Sequence, residues 1–297
     1  MNETDFIAAL RRLPLHLGAR GLEDDAAVLE VGSETLVLTH DTMVEGVHFL
    51  PAQYMADVAW KLVATNVSDL AAMGASPVGV LLSHTFGHDD EAFVSGLGDV
   101  LTHYGLGILG GDTVRGNGSR TLGLTAIGRA THSPVPSRAG AQVGHGLYVT
   151  GTLGEAMLGF EALLDGTGAD PAAYTRPLAR VAEGEALAPH VSAMMDVSDG
   201  LLLDAFRLAE ASAVSIAIDT AACPVAEPAR VMECLTWGDD YELLFTLPEG
   251  TKPPVQATRV GTVEPRGFAP LFVDGEPVTN REGLGYTHEQ AAPPPSG

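Results

Sequence analysis

Six aspartates in this 297-residue chain, Asp25, Asp41, Asp69, Asp112, Asp196 and Asp199, stand among Gly, Ser, Thr, Ala and Asn more than among charged residues. Small neighbours let a ligand come close to the backbone. A lone aspartate beside Gly or Ser is commonly a turn residue or a helix cap. Six such windows together point instead to carboxylates gathered around metal and phosphate. In Asn66-Val67-Ser68-Asp69 an i, i+3 step places two polar side chains on one face of an otherwise apolar helix that also carries Lys61 and Met73. In Asp196-Val197-Ser198-Asp199-Gly200, Ser198 or Asp199 is expected at a helix N-cap, with helix N–H groups turned to a phosphate. Capping does not also explain Asp196. Among ten histidines, His48 in Val44-Glu45-Gly46-Val47-His48-Phe49 stands out.

Several chemistries are excluded. No Gly-x-x-x-x-Gly-Lys-Ser/Thr loop occurs, and the only lysines are Lys61 and Lys252, so this is not a P-loop nucleotide site. The protein-kinase lysine and His-Arg-Asp signatures, Gly-x-Ser-x-Gly and HExxH are missing as well. A nucleoside triphosphate would therefore rely on Mg²⁺ held by aspartates, helped by Arg115, Arg138 and backbone N–H groups. The net charge of −22, from 38 acidic against 16 basic residues, disfavours nucleic acid and anionic membrane as partners. An anionic substrate would need cations to enter. Two cysteines, Cys223 and Cys234, lack disulfide or zinc-finger spacing, which fits a reduced cytoplasm. No signal-peptide core or run of ~18 apolar residues is found.

The elements expected to position these residues alternate. Strands are predicted at 35–39 (ending at Asp41), 78–85, 106–109, 120–130, 146–150, 214–219 and 242–247. Helices are predicted at 1–10, 57–73, 91–104, 154–165, 176–188 and 200–211. The Pro-, Ser- and Gly-rich stretch 131–144 reads as a linker. This divides the chain into an N-terminal domain, 1–135, and a C-terminal α/β domain, 136–290, with 291–297 a disordered tail. Each half carries part of the aspartate set, so a site between domains is expected.

The windows 23–28, 41–49, 66–75, 110–116, 196–201 and 239–243, in this order across nearly the whole chain, resemble the thiamine-monophosphate kinase family. The wider superfamily includes aminoimidazole ribonucleotide synthetase, selenophosphate synthetase and a hydrogenase-maturation protein; Val-Glu-Gly-Val-His-Phe and Asp-Tyr-Glu-Leu favour the thiamine enzyme. The resemblance implies a two-domain aminoimidazole ribonucleotide synthetase-like α/β (α+β) fold with mixed sheets, a homodimer paired through N-terminal domains, and ATP-dependent phosphorylation of thiamine monophosphate to thiamine diphosphate. It implies Mg²⁺ on Asp25, Thr39, His40, Asp41, Asp69, Asp112, Asp196 and Asp199, with His40 contributing its backbone. It further implies ATP at Tyr104, Gly111, Asp112, Arg138 and Ser198, and substrate at His48, Asp239 and Tyr286. The chain departs from the family's pattern at Glu23 (usually Gly), His40 (usually Thr or Ser) and Asp239 (usually Glu). Two other readings share these windows: a superfamily member acting on another phosphate or carboxylate acceptor, and a nucleotide- or divalent-ion-binding regulator without turnover.

Overall fold

The structure is a computed structural model that describes residues 3–166 and 168–287. After helix α1 (Glu3–Leu10), the chain forms β1 (Ala27–Val31) and β2 (Glu34–Val44), then helix α2 (Met55–Ala72), β3 (Ala75–Thr85), helix α3 (Asp90–Tyr104), β4 (Gly107–Val114) and β5 (Thr121–Ala130). These strands make a five-stranded mixed sheet in the order β1-β2-β5-β3-β4, in which only β3 and β4 run parallel. Along β2 the buried Val37 and Thr39 alternate with the exposed His40 and Thr42, the period-two pattern of a sheet covered on one face.

The second half contributes β6 (Gly146–Val149), α4 (Glu155–Asp165), α5 (Ala172–Thr175), α6 (Val181–Leu187), β7 (Ala193–Asp196), α7 (Leu201–Ala211), β8 (Ser215–Ile218), α8 (Val231–Trp237), β9 (Leu243–Leu247), β10 (Thr258–Glu264), β11 (Leu271–Val273) and β12 (Glu276–Val278). Its seven-stranded sheet has the order β12-β11-β8-β10-β6-β9-β7, with β11 and β8 the parallel pair. All five residues of β9, Leu243–Leu247, are buried, so this inner strand, paired with β6 and β7, is apolar at every position but Thr246.

Helix α2 joins the two halves. It packs on β2, β3 and β5 and on α3, and its other side meets α5, α6 and β7 of the second half. A helix that is apolar nearly all round belongs in an interior, and Ala, Val, Leu and Met dominate its buried positions. Two glycines let backbone meet backbone there. A Cβ on Gly96 of α3 would lie 2.2 Å from the Ala56 carbonyl oxygen, and one on Gly184 of α6 would lie 2.1 Å from that of Ala71.

The sequence expectations differ from the structure at instructive places. The helix expected over 176–188 is only α6, because Pro177 holds the residue before it out of the helical region; Arg176 sits at φ −134°, ψ 61°. The strand expected over 106–109 runs on through both glycines to Val114. The stretch 131–144 is irregular but pinned: the Arg20 guanidinium donates to the Val135 and Pro136 carbonyls, and Asp24 accepts from the Ser137 hydroxyl and the Arg138 N–H. The tail expected at 291–297 lies outside the described residues.

Candidate active site between the two sheets

Three carboxylates converge where the ends of separate elements meet. Asp25 stands just ahead of β1, Asp69 projects from α2, and Asp196 ends β7; each offers an oxygen within 4.8 Å of the others. Their neighbours hold them in place. The Thr39 hydroxyl donates to Asp69, the buried Ser68 hydroxyl donates to Asp196 at 2.6 Å, and Arg138 donates to Asp25 Oδ1. The other Asp25 oxygen, Oδ2, is buried without a hydrogen-bond partner. Burial pushes all three carboxyls above the ordinary range; neighbouring carboxylates add to it at Asp69 and Asp196, while at Asp25 the Arg138 guanidinium opposes it. Converging carboxylates with an unpaired buried oxygen fit an oxygen-preferring divalent cation.

Asp41 completes this corner. Its backbone N–H donates to the Asn66 side-chain oxygen at 3.0 Å, while the Asn66 amide donates to the Leu62 carbonyl at 2.9 Å. The Asn-x-x-Asp step thus divides its work: Asn66 locks β2 to α2, and Asp69 presents the charge. Burial raises Asp41 as well, with His40 opposing and Asp199 and Asp25 adding.

The cluster opens into a cleft of about 1230 Å³ lined by Thr39, Asp41, Arg138, Ser198, Asp199 and Arg207 among others. Arg207 binds Asp199 and, at 2.9 Å, Asp204. The expected cap at Ser198 or Asp199 is not what forms. Gly200 is the N-cap of α7, at φ 113°, and the N–H groups of Ser198 and Asp199 each donate at 3.1 Å to Asp204 Oδ2, from the helix's own first turn. Those two donors are therefore already used. Burial lifts the Asp204 carboxyl to about 6, against the pull of Arg207.

The structure separates some residues that the sequence reading groups together. Strand alternation turns the His40 imidazole away from Thr39 and Asp41, toward the Thr125 hydroxyl at 2.9 Å. His40 borders the main cleft and also lines a smaller cavity of about 370 Å³ with Thr42, Ser83 and Asp112, the last of which does not reach the main cleft. Asp112 is therefore outside the Asp25, Asp69 and Asp196 group, mid-strand instead of at a strand end. Gly111 has a packing reason to be glycine, since a Cβ at its φ of 153° would fall 2.0 Å from the Leu82 carbonyl oxygen. Tyr104 lines neither cavity; its hydroxyl accepts the Ala179 N–H at 2.9 Å.

Two of the residues expected at substrate do meet, through partners that sequence reasoning did not assign. Asp239 accepts from Lys61 Nζ at 2.8 Å and from the Tyr241 hydroxyl at 2.7 Å. Lys61 lies 3.7 Å from the centre of the Tyr174 ring, and the Tyr174 hydroxyl donates to the His48 carbonyl at 3.2 Å. Tyr286 is placed by its N–H, which donates to the Asp199 carbonyl at 2.9 Å. Ser68 was missed because its partner Asp196 is 128 positions away, whereas Arg207 and Asp204 pair locally, and their i, i+3 step on α7 was the signal that could have found them; Lys61, a charge in an apolar helix, was the legible oddity.

The chain is similar to known proteins over most of its length. Residues 23–130 match the family model for the AIR synthase related protein N-terminal domain, and residues 142–253 match that for its C-terminal domain. The thiamine-monophosphate kinase of Escherichia coli K12 is 37% identical, with 90% of this chain and 91% of that protein covered. The chain belongs to the thiamine-monophosphate kinase family. The Aquifex aeolicus thiamine-monophosphate kinase is 33% identical over 92% of this chain and 94% of its own length. A solved structure described as AaThiL complexed with AMPPCP and TMP superposes with a TM-score of 0.84 at 30% identity, covering 97% of each chain. Hydrogenase maturation protein HypE in complex with ATP, 20% identical over 88% of this chain and 85% of that one, with a TM-score of 0.66, shares the fold.

In this member of the thiamine-monophosphate kinase family, Asp240 is a helix cap reached from a distance. Its carboxyl accepts the Gly154 N–H at 3.0 Å, at the start of α4. Burial drives it up to about 8, with the Gly154 and Ala156 N–H groups opposing. A carboxyl raised on folding favours the folded state at low pH, and that contribution is lost as pH rises toward 8. Asp240→Asn is expected to melt with wild type at pH 5 and a few degrees above it at pH 8, at about 2–4 °C per kcal/mol. Parallel melting curves at the two pH values would show that Asp240 is not the source of the slope.

Proposed function

We propose that this protein phosphorylates thiamine monophosphate to thiamine diphosphate with ATP, using Mg²⁺ held at the carboxylate cluster. The observation that carries the reading is the convergence of Asp25, Asp69 and Asp196 beside an arginine-lined cleft in a chain of this family. Asp25, Asp69 and Asp196 would hold magnesium, with Asp41, Asp199 and the Thr39 hydroxyl beside them. On the same reading Asp112, and His40 through its backbone, would also serve magnesium. When bound, the metal neutralises charge that grows on the phosphoryl oxygens.

The chain's own groups position the reactants. Arg138, which donates to Asp25, and Arg207, which donates to Asp199, face nucleotide phosphates along with Ser198, while His48, Asp239 and Tyr286 address thiamine monophosphate. No side-chain nucleophile is needed: the acceptor is a phosphate oxygen, whose second ionisation at pKa ~6 is largely complete at neutral pH. In-line placement then does most of the work. The homodimer of this reading would use the open face and free edge of the first sheet, where β4 is exposed throughout and shows Ile108, Leu109 and Val114. No helix among the described residues is long and apolar enough to cross a membrane, and we place the enzyme in the cytoplasm.

Incubation with ATP, Mg²⁺ and thiamine monophosphate should yield thiamine diphosphate and ADP by chromatography. Free thiamine, which lacks the metal-bridged acceptor phosphate, should turn over at least ~100-fold more slowly, the scale of one lost transition-state contact. Equal turnover of the two would sink the assignment.

A further inference from the structure

Lys61 is a buried ammonium in the middle of α2, 2% exposed, and its ion-pair partner Asp239 is 32% exposed. The pair is therefore asymmetric. Its cation is enclosed by Asp239 and the face of Tyr174, and its carboxylate looks outward. The loop that carries Asp239 is already tied without Lys61: the Asp239 N–H donates to the Ser198 carbonyl at 2.8 Å and the Tyr241 N–H to the Val197 carbonyl at 2.9 Å. Both residues sit at positive φ, 58° and 52°, a conformation that non-glycine residues hold only where surrounding structure imposes it, commonly at functional sites. An aromatic wall continues from this point, with Phe160 5.1 Å from Tyr174 and 5.3 Å from Trp237 between ring centres. The two carbonyls that hold this loop belong to Val197 and Ser198, directly after Asp196, which sets the group beside the carboxylate cluster.

We propose that Lys61 is a positioning residue for the acceptor: its ammonium fixes the Asp239 carboxylate beside the aromatic wall, where together they receive the cationic thiazolium and aminopyrimidine of thiamine monophosphate. The inference rests on the function proposed above. A carboxylate and aromatic faces suit a delocalised organic cation, and both Asp239 oxygens already accept one hydrogen bond, so the carboxylate has one orientation to offer. Lys61 acts through Asp239 and not on phosphate, because its ammonium is enclosed on the buried side of the pair. A lysine serving only to tie the halves together would influence ATP and acceptor alike.

The test uses Lys61→Met, of similar length without charge, with Lys61→Gln, Asp239→Asn and the Lys61→Met/Asp239→Asn double variant. Steady-state KM for thiamine monophosphate and for ATP would be measured in Mg²⁺, together with thiamine monophosphate Kd from tryptophan fluorescence. For Lys61→Met we expect KM and Kd for thiamine monophosphate to rise about tenfold or more, with KM for ATP within about twofold and kcat within about threefold. The double variant should be no worse than Asp239→Asn. Unchanged KM for thiamine monophosphate, equal losses for both substrates, or losses that add to those of Asp239→Asn would each overturn the proposal, the last by assigning Lys61 a direct contact. Failure of both Lys61 variants to fold would assign the residue to the fold and overturn it too. Absence of wild-type turnover would remove the functional reading itself; normal wild-type turnover with an unaltered Lys61→Met removes only this inference.

Discussion

Asp69→Asn is expected to reduce turnover by at least ~10³-fold while raising the melting temperature of the metal-free protein. The substitution keeps size and an oxygen to accept the Thr39 hydroxyl, and it deletes a charge at the centre of the cluster. Loss of one preorganised electrostatic contact costs ~10²–10³ in rate, and a weakened metal site adds to that. Burial, then Asp41, Asp196 and Asp25, hold the Asp69 carboxyl well above the ordinary range. A raised carboxyl contributes stability below its unfolded pKa and loses it as pH rises. Metal-free wild type should therefore melt progressively lower from pH 5 to pH 8, and Mg²⁺ should restore more at pH 8. Asp69→Asn should flatten the slope and lose most of the Mg²⁺-induced rise. Differential scanning calorimetry with and without Mg²⁺, alongside kinetics, decides the matter: a variant that keeps near-normal turnover, or the full Mg²⁺ response, would show Asp69 to be structural.

Gly96→Val should have the largest effect on stability. Gly96 lies within α3, where a Cβ would stand 2.2 Å from the Ala56 carbonyl oxygen and 2.4 Å from its Cα. Both are backbone atoms of α2, so the clash cannot be relieved by a rotamer change. The helices must separate, and overpacking of this kind costs ~3 kcal/mol or more. Because α2 carries Asn66, Asp69 and Lys61, activity should fall with the folded fraction. Gly98→Ala is the control: it is exposed in the same helix with open space around its Cβ position, and should gain roughly 0.5–1 kcal/mol from helix propensity. A Gly96→Val protein that melts with wild type would contradict the close α2–α3 approach.

Much of the first sheet was readable because its strands and helices carry clean periods. The alternation along β2 and the long apolar run of α2 are local properties; α2 lies within two residues of its expected ends, while β2 runs on from the expected 35–39 to Val44 and β1 was not foreseen. The short C-terminal strands β7, β11 and β12 are three or four residues long, too few for a period to declare itself, and their identity comes from the neighbours they pair with. Helix 176–188 failed at Pro177, a boundary that the sequence does state.

The sequence by itself determined which chemistry is available: small-residue windows around acidic groups, no P-loop, two lysines, and so a site that needs cations to accept phosphate. Tertiary structure decided which of those groups share a site. Asp25, Asp69 and Asp196 are separated by up to 171 positions in their numbering, yet meet because α2 is buried between two sheets and brings its polar face against the ends of β1 and β7. His40 and Asp41 are adjacent in the chain and both border the main cleft, yet only His40 also reaches the smaller cavity beside Asp112, since a strand turns successive side chains to opposite faces. Lys61 pairs with a residue 178 positions away. Spacing along a chain sets which face a side chain takes, and packing between elements sets what that face meets.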